Sequence, residues 1–130
     1  MEQLIIHGGA GSLEGKIAEA QAMHDSLCKI WEESFALLQK GTAEETVRHA
    51  IRMLEDDPIF NAGTGSKLQA DGQVRMSSAL MDGTNNRFSG VINVQNIRNP
   101  IEAAALLSKE EHTVLSADQA TDFCRRHGMA

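Results

Sequence analysis

Apolar side chains recur every three or four positions in two stretches near the start of the chain. The stretch from about residue 16 to residue 40 carries one such stripe, made of Ala20, Met23, Leu27, Ile30, Trp31, Ser34 and Leu38. A stripe with this period predicts a long amphipathic helix, which Gly41 ends. A second helix is predicted to begin at Thr42, because its spacing to Glu45 is that of a capping box, and to close at residues 56–58.

Shorter apolar runs bounded by turn residues predict the strands. Residues 4–6 indicate a buried strand that enters a loop rich in glycine. Residues 74–81 and 88–94 predict a hairpin across a polar loop, and short strands are expected at residues 66–69 and 113–115. The middle of the chain is therefore expected to hold most of the sheet.

Two more helices are predicted in the C-terminal part. Asn99 is placed as the N-cap and Pro100 in the first turn of a helix that ends near residue 108. Ser116 opens the last helix with capping-box spacing, and Gly128 ends it. Strands grouped between pairs of helices indicate an α+β fold in which helices cover a sheet.

Length and composition favour one domain. The 130 residues are 42% hydrophobic and 23% charged, which is ordinary for a globular chain and argues against disorder. The predicted strands are too few to close a core, because a stable sheet needs partners on its faces and edges. We therefore expect the sheet to continue in sequence outside this chain.

Charge and cysteine content limit the partners and the compartment. The net charge of −6, without any basic run, disfavours nucleic acid and anionic membranes as partners. No apolar run approaches the roughly 20 residues of a membrane span, and the first residues lack the pattern of a signal peptide. Cys28 and Cys124 lie far apart without a CxxC pair, so reduced thiols are expected. These features together predict a cytoplasmic protein.

The glycine loop after the first strand has the parts of a nucleotide site but the wrong spacing. A dinucleotide fingerprint needs glycine where Glu14 stands. A phosphate loop with its lysine at Lys16 needs a glycine at position 10 and a hydroxyl residue at position 17. Ala10 and Ile17 occupy these positions. Nucleotide binding is therefore disfavoured. The five histidines show no paired metal spacing, and His7 is interpreted as a structural residue in preference to a ligand.

The segment from Phe60 to Gly65 carries the strongest signal of a site. Its two glycines and one asparagine permit backbone conformations that turn carbonyl groups inward, toward a hard cation or a substrate. A plain loop between a helix and a strand accounts for the same residues equally well. The amide of Asn61 could hydrogen-bond a hydroxyl or an amine without changing the charge of a site, and an Asx turn is the structural alternative.

Four motifs in this order resemble the isoaspartyl peptidase / L-asparaginase family, the plant-type asparaginases. They lie at residues 7–11 (His-Gly-Gly-Ala-Gly), 54–66, 81–83 (Met-Asp-Gly) and 96–100. The likeness covers nearly the whole chain, from about residue 4 to residue 128. It implies the fold of the N-terminal nucleophile hydrolases, an αββα sandwich made as one precursor that cleaves itself into an α and a β subunit. Residues 1–130 would then be the α part of a single domain that the β subunit completes.

The resemblance also implies a chemistry and an assembly. The nucleophile would be the threonine exposed at the start of the β subunit, with its own amine as the base. The substrates would be isoaspartyl dipeptides and L-asparagine, hydrolysed without an organic cofactor. The β subunit would come from the same precursor, and the enzyme would be a dimer of αβ heterodimers.

Roles for this chain follow from the same resemblance and are supporting ones. Asn61 would lie beside the nucleophile, and Gly9 would belong to a loop that shapes the site. A structural sodium ion would be held by the carbonyl groups of Leu54, Glu55, Asp57, Phe60, Ala62 and Thr64. One departure stands out, because Arg75, Met76 and Ser77 occupy the place of an acidic residue followed by Met-Asp. A serine hydroxyl hydrogen-bonds more weakly than a carboxylate.

Two kinds of alternative remain open at this point. One is a related amidase, glycosylasparaginase or threonine aspartase, of which the first is usually secretory and disulfide-bearing. The other is a non-catalytic chain, either an isolated α-like fragment or a degenerate member of the family that binds a partner. A threonine-led continuation past Ala130 would favour the enzyme.

Overall fold

The computed structural model describes residues 2–12 and 14–129 of the chain. The described residues form α1 (Ile17–Leu38), α2 (Ala43–Asp56), β1 (Met76–Asp82), β2 (Arg87–Val94), α3 (Pro100–Leu107), β3 (Val114–Ser116) and α4 (Ala117–Arg126). A short 3-10 turn lies at Gly63–Gly65. None of the described helices is long and apolar enough to cross a membrane. The α+β class is confirmed.

The first two helices form an antiparallel pair with a core of its own. The predicted capping box is confirmed, because the Thr42 hydroxyl accepts the Glu45 N–H at 3.2 Å and the Glu45 carboxylate accepts the Thr42 N–H at 2.8 Å. Two orphan donors at the start of α2 are thereby satisfied. Four buried residues hold α1, α2 and the loop after α2 together: Ile30, Ala50, Leu54 and Phe60.

The sheet has three strands in the order β1-β2-β3. The predicted hairpin is confirmed, since β1 and β2 pair antiparallel with a register shift between Met76 and Ser78. β3 pairs parallel to β2, with Gly90 opposite Val114. α3 forms the crossover between these two parallel strands, as parallel pairing requires.

Helices α3 and α4 cover one face of this sheet. The core between them is made of Met76, Val91, Val94, Ile97, Ala103, Leu107, Ala120, Phe123 and Cys124. The Ser89 hydroxyl donates to the Ala104 carbonyl at 2.7 Å and fastens α3 to β2. The other face is bare within the described chain, and it exposes 54% of Met81 and 47% of Phe88. The described residues therefore form a sheet with helices on one face only.

Two predicted strands are wrong. Residues 4–6 belong to no strand, with Ile5 92% exposed, and the Leu4 carbonyl accepts the Trp31 indole N–H at 3.0 Å instead of a ladder bond. Apolar side chains alone do not make a strand without a partner edge. Residues 66–69 form a loop, because the Lys67 N–H donates to the Asn61 side chain and the Gln69 N–H closes a turn.

Two predicted side-chain caps are also wrong, although both helices begin where expected. Asn99 makes no cap bond to α3, because its amide donates to the Asp56 carboxylate of α2 at 3.1 Å. Ser116 makes no side-chain cap bond to α4 either, and its backbone pairs with Ile92 as part of β3. At Asn99, a partner on another helix overrides the local preference. Of the predicted αββα sandwich, the described residues show one sheet with helices on one face.

Candidate active site

The loop that follows α2 is built from overlapping backbone turns. The Phe60 N–H donates to the Asp57 carbonyl at 3.2 Å, and the Ala62 N–H donates to the Phe60 carbonyl at 2.9 Å. The Gly65 N–H closes the next turn on the Ala62 carbonyl at 2.9 Å. These turns fold residues 57–65 tightly against the end of α2.

Two glycines in this loop are required by close backbone contacts. Gly63 has a φ of +47°, and a Cβ atom placed there would lie 2.2 Å from the Glu55 carbonyl oxygen. A Cβ atom at Gly65 would lie 2.1 Å from the Phe60 carbonyl oxygen and 2.6 Å from that of Pro58. Any larger residue would push these carbonyls apart. The two glycines therefore allow these carbonyl groups to approach the backbone of the loop closely.

Asn61 connects this loop to the chain that follows it. Its side-chain oxygen accepts the N–H of Lys67, six residues on, at 2.9 Å. The loop-shaping interpretation is thus correct in kind, although the bond is longer in range than an Asx turn. The amide nitrogen of Asn61 makes no hydrogen bond with the described residues, so its two N–H groups remain available to a ligand.

The N-terminal glycine loop lies against the same segment. The His7 ring nitrogen Nδ1 accepts the N–H of Gly9 at 3.2 Å, and Gly9 has a φ of +114°. A Cβ atom at Gly8 would meet the Phe60 ring at 2.9 Å and the Leu27 side chain at 3.0 Å. His7 therefore holds the turn, as expected, and the glycines bring the loop next to Asn61.

A cavity of about 750 Å³ brings the predicted site residues together. Both Gly9 and Asn61 line it, and four of the six residues with predicted ligand carbonyls do so as well, namely Leu54, Glu55, Phe60 and Ala62. Asp57 and Thr64 lie outside its wall. A smaller neighbouring cavity of about 340 Å³ shares Glu55, Asn61, Ala62, Lys67 and Ser77 with the larger one.

The buried side chain of Glu55 is a feature that sequence reasoning missed. Glu55 is 3% exposed and lines both cavities. Burial raises the pKa of its carboxyl to about 7, although the hydrogen bond from the Ile101 N–H acts in the opposite direction. Its oxygen Oε2 has no partner among the described residues. The signal was present in the sequence, since Glu55 lies four residues after Ile51, on the apolar side of α2.

Ser77, which stands where the resemblance implies the aspartate of Met-Asp, serves the backbone of the sheet. Its hydroxyl accepts the N–H of Asn93 at 3.1 Å, at the register shift between β1 and β2. Arg75 contacts Asp71 at 2.8 Å and Gln69 at 2.7 Å. Ser77 lines both cavities.

The carbonyl groups at the end of α2 are candidate ligands of a cation of low charge. The Leu54 carbonyl faces the helical position of Pro58, which has no N–H, and the Ile59 N–H donates to the Asp57 side chain at 3.0 Å instead of to Glu55. Two carbonyls thus lack their helical donors. No group of three or more acidic, histidine or cysteine side chains in the described residues could hold a metal ion. Neutral oxygens suit sodium better than a small divalent ion.

Comparison with known proteins gives one matching family and several curated relatives. The sequence profile of a family described as Asparaginase matches residues 1–130. The chain is 50% identical to an isoaspartyl peptidase/L-asparaginase of Nostoc sp. over 125 residues, which is 95% of this chain and 39% of that protein. A Synechocystis protein of the same name is 47% identical over 126 residues, covering 95% of this chain and 37% of its own length.

A more distant relative carries a different name. The plant-type L-asparaginase of Pyrococcus abyssi is 38% identical over 133 residues, covering 99% of this chain and 42% of that protein. The chain therefore spans about two-fifths of the length of the curated relatives it matches. The match over the whole chain, together with the glycine loop and the Asn61 loop on one cavity, establishes that this chain belongs to the asparaginase family.

Proposed function

We propose that this chain is the α part of an isoaspartyl peptidase / L-asparaginase. The observation that carries the proposal is the cavity on which Gly9 and Asn61 meet, in a chain half identical to a relative of that name. The substrates are isoaspartyl dipeptides and L-asparagine, in which the bond to be hydrolysed is an amide of the aspartyl side chain. The chain spans about two-fifths of the length of this relative, and we place the nucleophile, as the family resemblance implies, on a β subunit outside it.

The chemistry proposed for the complete enzyme needs few groups. The hydroxyl of a threonine at the start of the β subunit attacks the amide carbonyl, and the α-amine of the same threonine takes the hydroxyl proton. That proton passes to the leaving nitrogen, so that ammonia or an amino acid departs and an acyl-enzyme remains. Water then hydrolyses the ester. The reference pKa of an α-amine, about 7.7–8.0, suits this role near neutral pH.

Asn61 is the residue of this chain that we place beside the nucleophile. Its amide oxygen is occupied by Lys67, which leaves the amide N–H groups to donate to the threonine oxygen or to the substrate. A neutral amide does this without altering the charge around the amine. Gly9 and its neighbours line the same cavity.

The bare face of the sheet is where we place the second sheet of an αββα sandwich. Its exposed apolar residues are Met81, Phe88, Ile92 and Val114. Sheets pack face to face through such residues. We propose that the β subunit supplies this sheet and that two αβ heterodimers form the enzyme.

Cys28 and Cys124 are both free, in keeping with a cytoplasmic location.

The chain expressed alone is expected to be poorly folded. The face of the sheet and its edges then stay uncovered, and apolar surface of this kind drives association. Urea unfolding followed by circular dichroism, together with the mass in solution, checks this. A sharp cooperative transition from a monomer would contradict the role given to the β subunit.

Sodium is the ion that we propose for the carbonyl groups of the Asn61 loop. When bound, it supplies a fixed positive charge that holds these oxygens together. The midpoint of thermal unfolding of the full-length protein is expected to be higher in sodium chloride than in tetramethylammonium chloride at equal ionic strength. Magnesium should not replace sodium, because it demands octahedral order and keeps its water. Equal midpoints in the two chlorides would contradict the proposal.

The function is tested by the gene and by the assay. Reading the gene past codon 130 should reveal a segment that begins Thr-Val-Gly-Ala-Val or similarly, and the purified product should split into two chains. The cleaved protein should release the amino acid from an isoaspartyl dipeptide and ammonia from L-asparagine. A processed protein inactive on both substrates would refute the proposed function.

A further inference from the structure

The Glu55 side chain joins two helices that carry different parts of the molecule. It leaves the last turn of α2 and reaches the start of α3, where Oε1 accepts the N–H of Ile101 at 3.0 Å. Ile101 is 1% exposed, so this bond lies in the interior. A buried hydrogen bond to a carboxylate is among the stronger ones in proteins.

This bond replaces the missing cap of α3. The first N–H groups of a helix have no partner within the helix. Pro100 has no N–H, and the N-cap residue Asn99 donates to Asp56 instead of accepting from α3. Glu55 therefore satisfies, from a neighbouring helix, a donor that a local side chain would ordinarily take.

The same residue touches the Asn61 loop through its backbone. A Cβ atom placed on Gly63 would lie 2.2 Å from the Glu55 carbonyl oxygen. Gly63 follows Asn61 by two residues. α3 is itself fastened to the sheet by the bond from Ser89 to Ala104. A continuous set of contacts thus runs from the sheet through α3 and Glu55 to Asn61.

We propose that Glu55 is a positioning residue, whose side chain fixes the loop of Asn61 against the start of α3 and thereby sets the place of the Asn61 amide in the site. The inference rests on the proposed function, because it concerns the turnover of that enzyme. Its physical basis is the length of the Glu55 side chain, because the acceptor oxygen must span the gap between α2 and α3.

Two conservative variants of the full-length enzyme separate reach from charge. Glu55→Gln keeps the acceptor oxygen at the same distance and loses the charge, so turnover should stay within about twofold of the parent. Glu55→Asp keeps the charge but withdraws the oxygen by one carbon–carbon bond, about 1.5 Å. Its kcat on an isoaspartyl dipeptide should fall about fivefold, while KM changes less than twofold.

A measurement independent of activity follows the bond itself. Hydrogen exchange at the Ile101 amide should quicken in Glu55→Asp and stay slow in Glu55→Gln. Arg98→Ala is the matched control, because it removes another bond between the same segments, Arg98 to Asp56 at 2.8 Å, and Arg98 lines neither cavity. Its kcat should equal that of the parent.

The outcomes distinguish this inference from the function on which it rests. Unchanged kcat in Glu55→Asp, or an equal loss in Glu55→Gln, would overturn the positioning role while leaving the enzyme as proposed. An equal loss in Arg98→Ala would reduce Glu55 to one of several structural contacts. A parent enzyme without activity would instead refute the proposed function.

Discussion

Replacing Gly65 by alanine should lower the free energy of unfolding of the full-length protein by about 3 kcal/mol. The new Cβ atom would stand 2.1 Å from the Phe60 carbonyl oxygen and 2.6 Å from the Pro58 carbonyl oxygen. Both contacts involve backbone, which cannot rotate away as a side chain can. The loop must therefore open, and the turns around Asn61 open with it.

Equilibrium unfolding in urea measures this loss, and Gly83→Ala is the matched control. A Cβ atom at Gly83 would meet nothing within 4 Å, and its φ lies outside the positive region. The control should change the unfolding free energy by less than about 0.5 kcal/mol. An ordinary substitution costs about 1 kcal/mol. If the unfolding free energy of Gly65→Ala lay within about 1 kcal/mol of that of the parent, the loop would have space for a Cβ atom, contrary to the structure.

Changing Asn61 to aspartate should reduce turnover of the assembled enzyme tenfold or more, which corresponds to about 1.4 kcal/mol in the barrier. Aspartate can still accept the Lys67 N–H, so the loop should keep its shape. On the proposed function, it adds a negative charge beside the nucleophile, raises the pKa of the attacking amine and leaves it protonated at neutral pH. It also removes two amide donors.

The measurement is kcat on an isoaspartyl dipeptide, made on protein that has been cleaved into its two chains. Asn86→Asp adds the same charge in the hairpin between β1 and β2, lines neither cavity and should leave kcat unchanged. Normal kcat in a correctly cleaved Asn61→Asp enzyme would leave Asn61 with its loop-shaping bond alone.

Elements with a strong period were predictable from the sequence. The stripe of α1 and the capping box of α2 depend on neighbours within one or two turns, and both are confirmed. The hairpin follows for the same reason. Residues 4–6 were mistaken for a paired strand because a strand needs a distant edge, and no alternation along three residues reveals whether that edge exists.

The site was predictable in its parts and not in its contacts. The glycines of the Asn61 loop were visible in the sequence, because close backbone packing leaves few other choices. The bond from Glu55 to Ile101 spans 46 positions, and no local pattern announces it. The predicted cap at Asn99 was wrong for the complementary reason. Asparagine is a good local N-cap, but the Asn99 amide donates to Asp56 on another helix.

The bare face of the sheet has a consequence for how the molecule is assembled. An apolar face of this kind associates with other molecules unless it is covered first. Its exposed residues are Met81, Phe88, Ile92 and Val114. A covering segment on the same polypeptide acts at an effective concentration of about millimolar, far above that of a separate chain in the cell. Synthesis as one precursor would therefore let the two layers dock before they are cut apart. Supplying the halves as separate genes should lower the yield of assembled enzyme, and aggregated α chain would account for the loss.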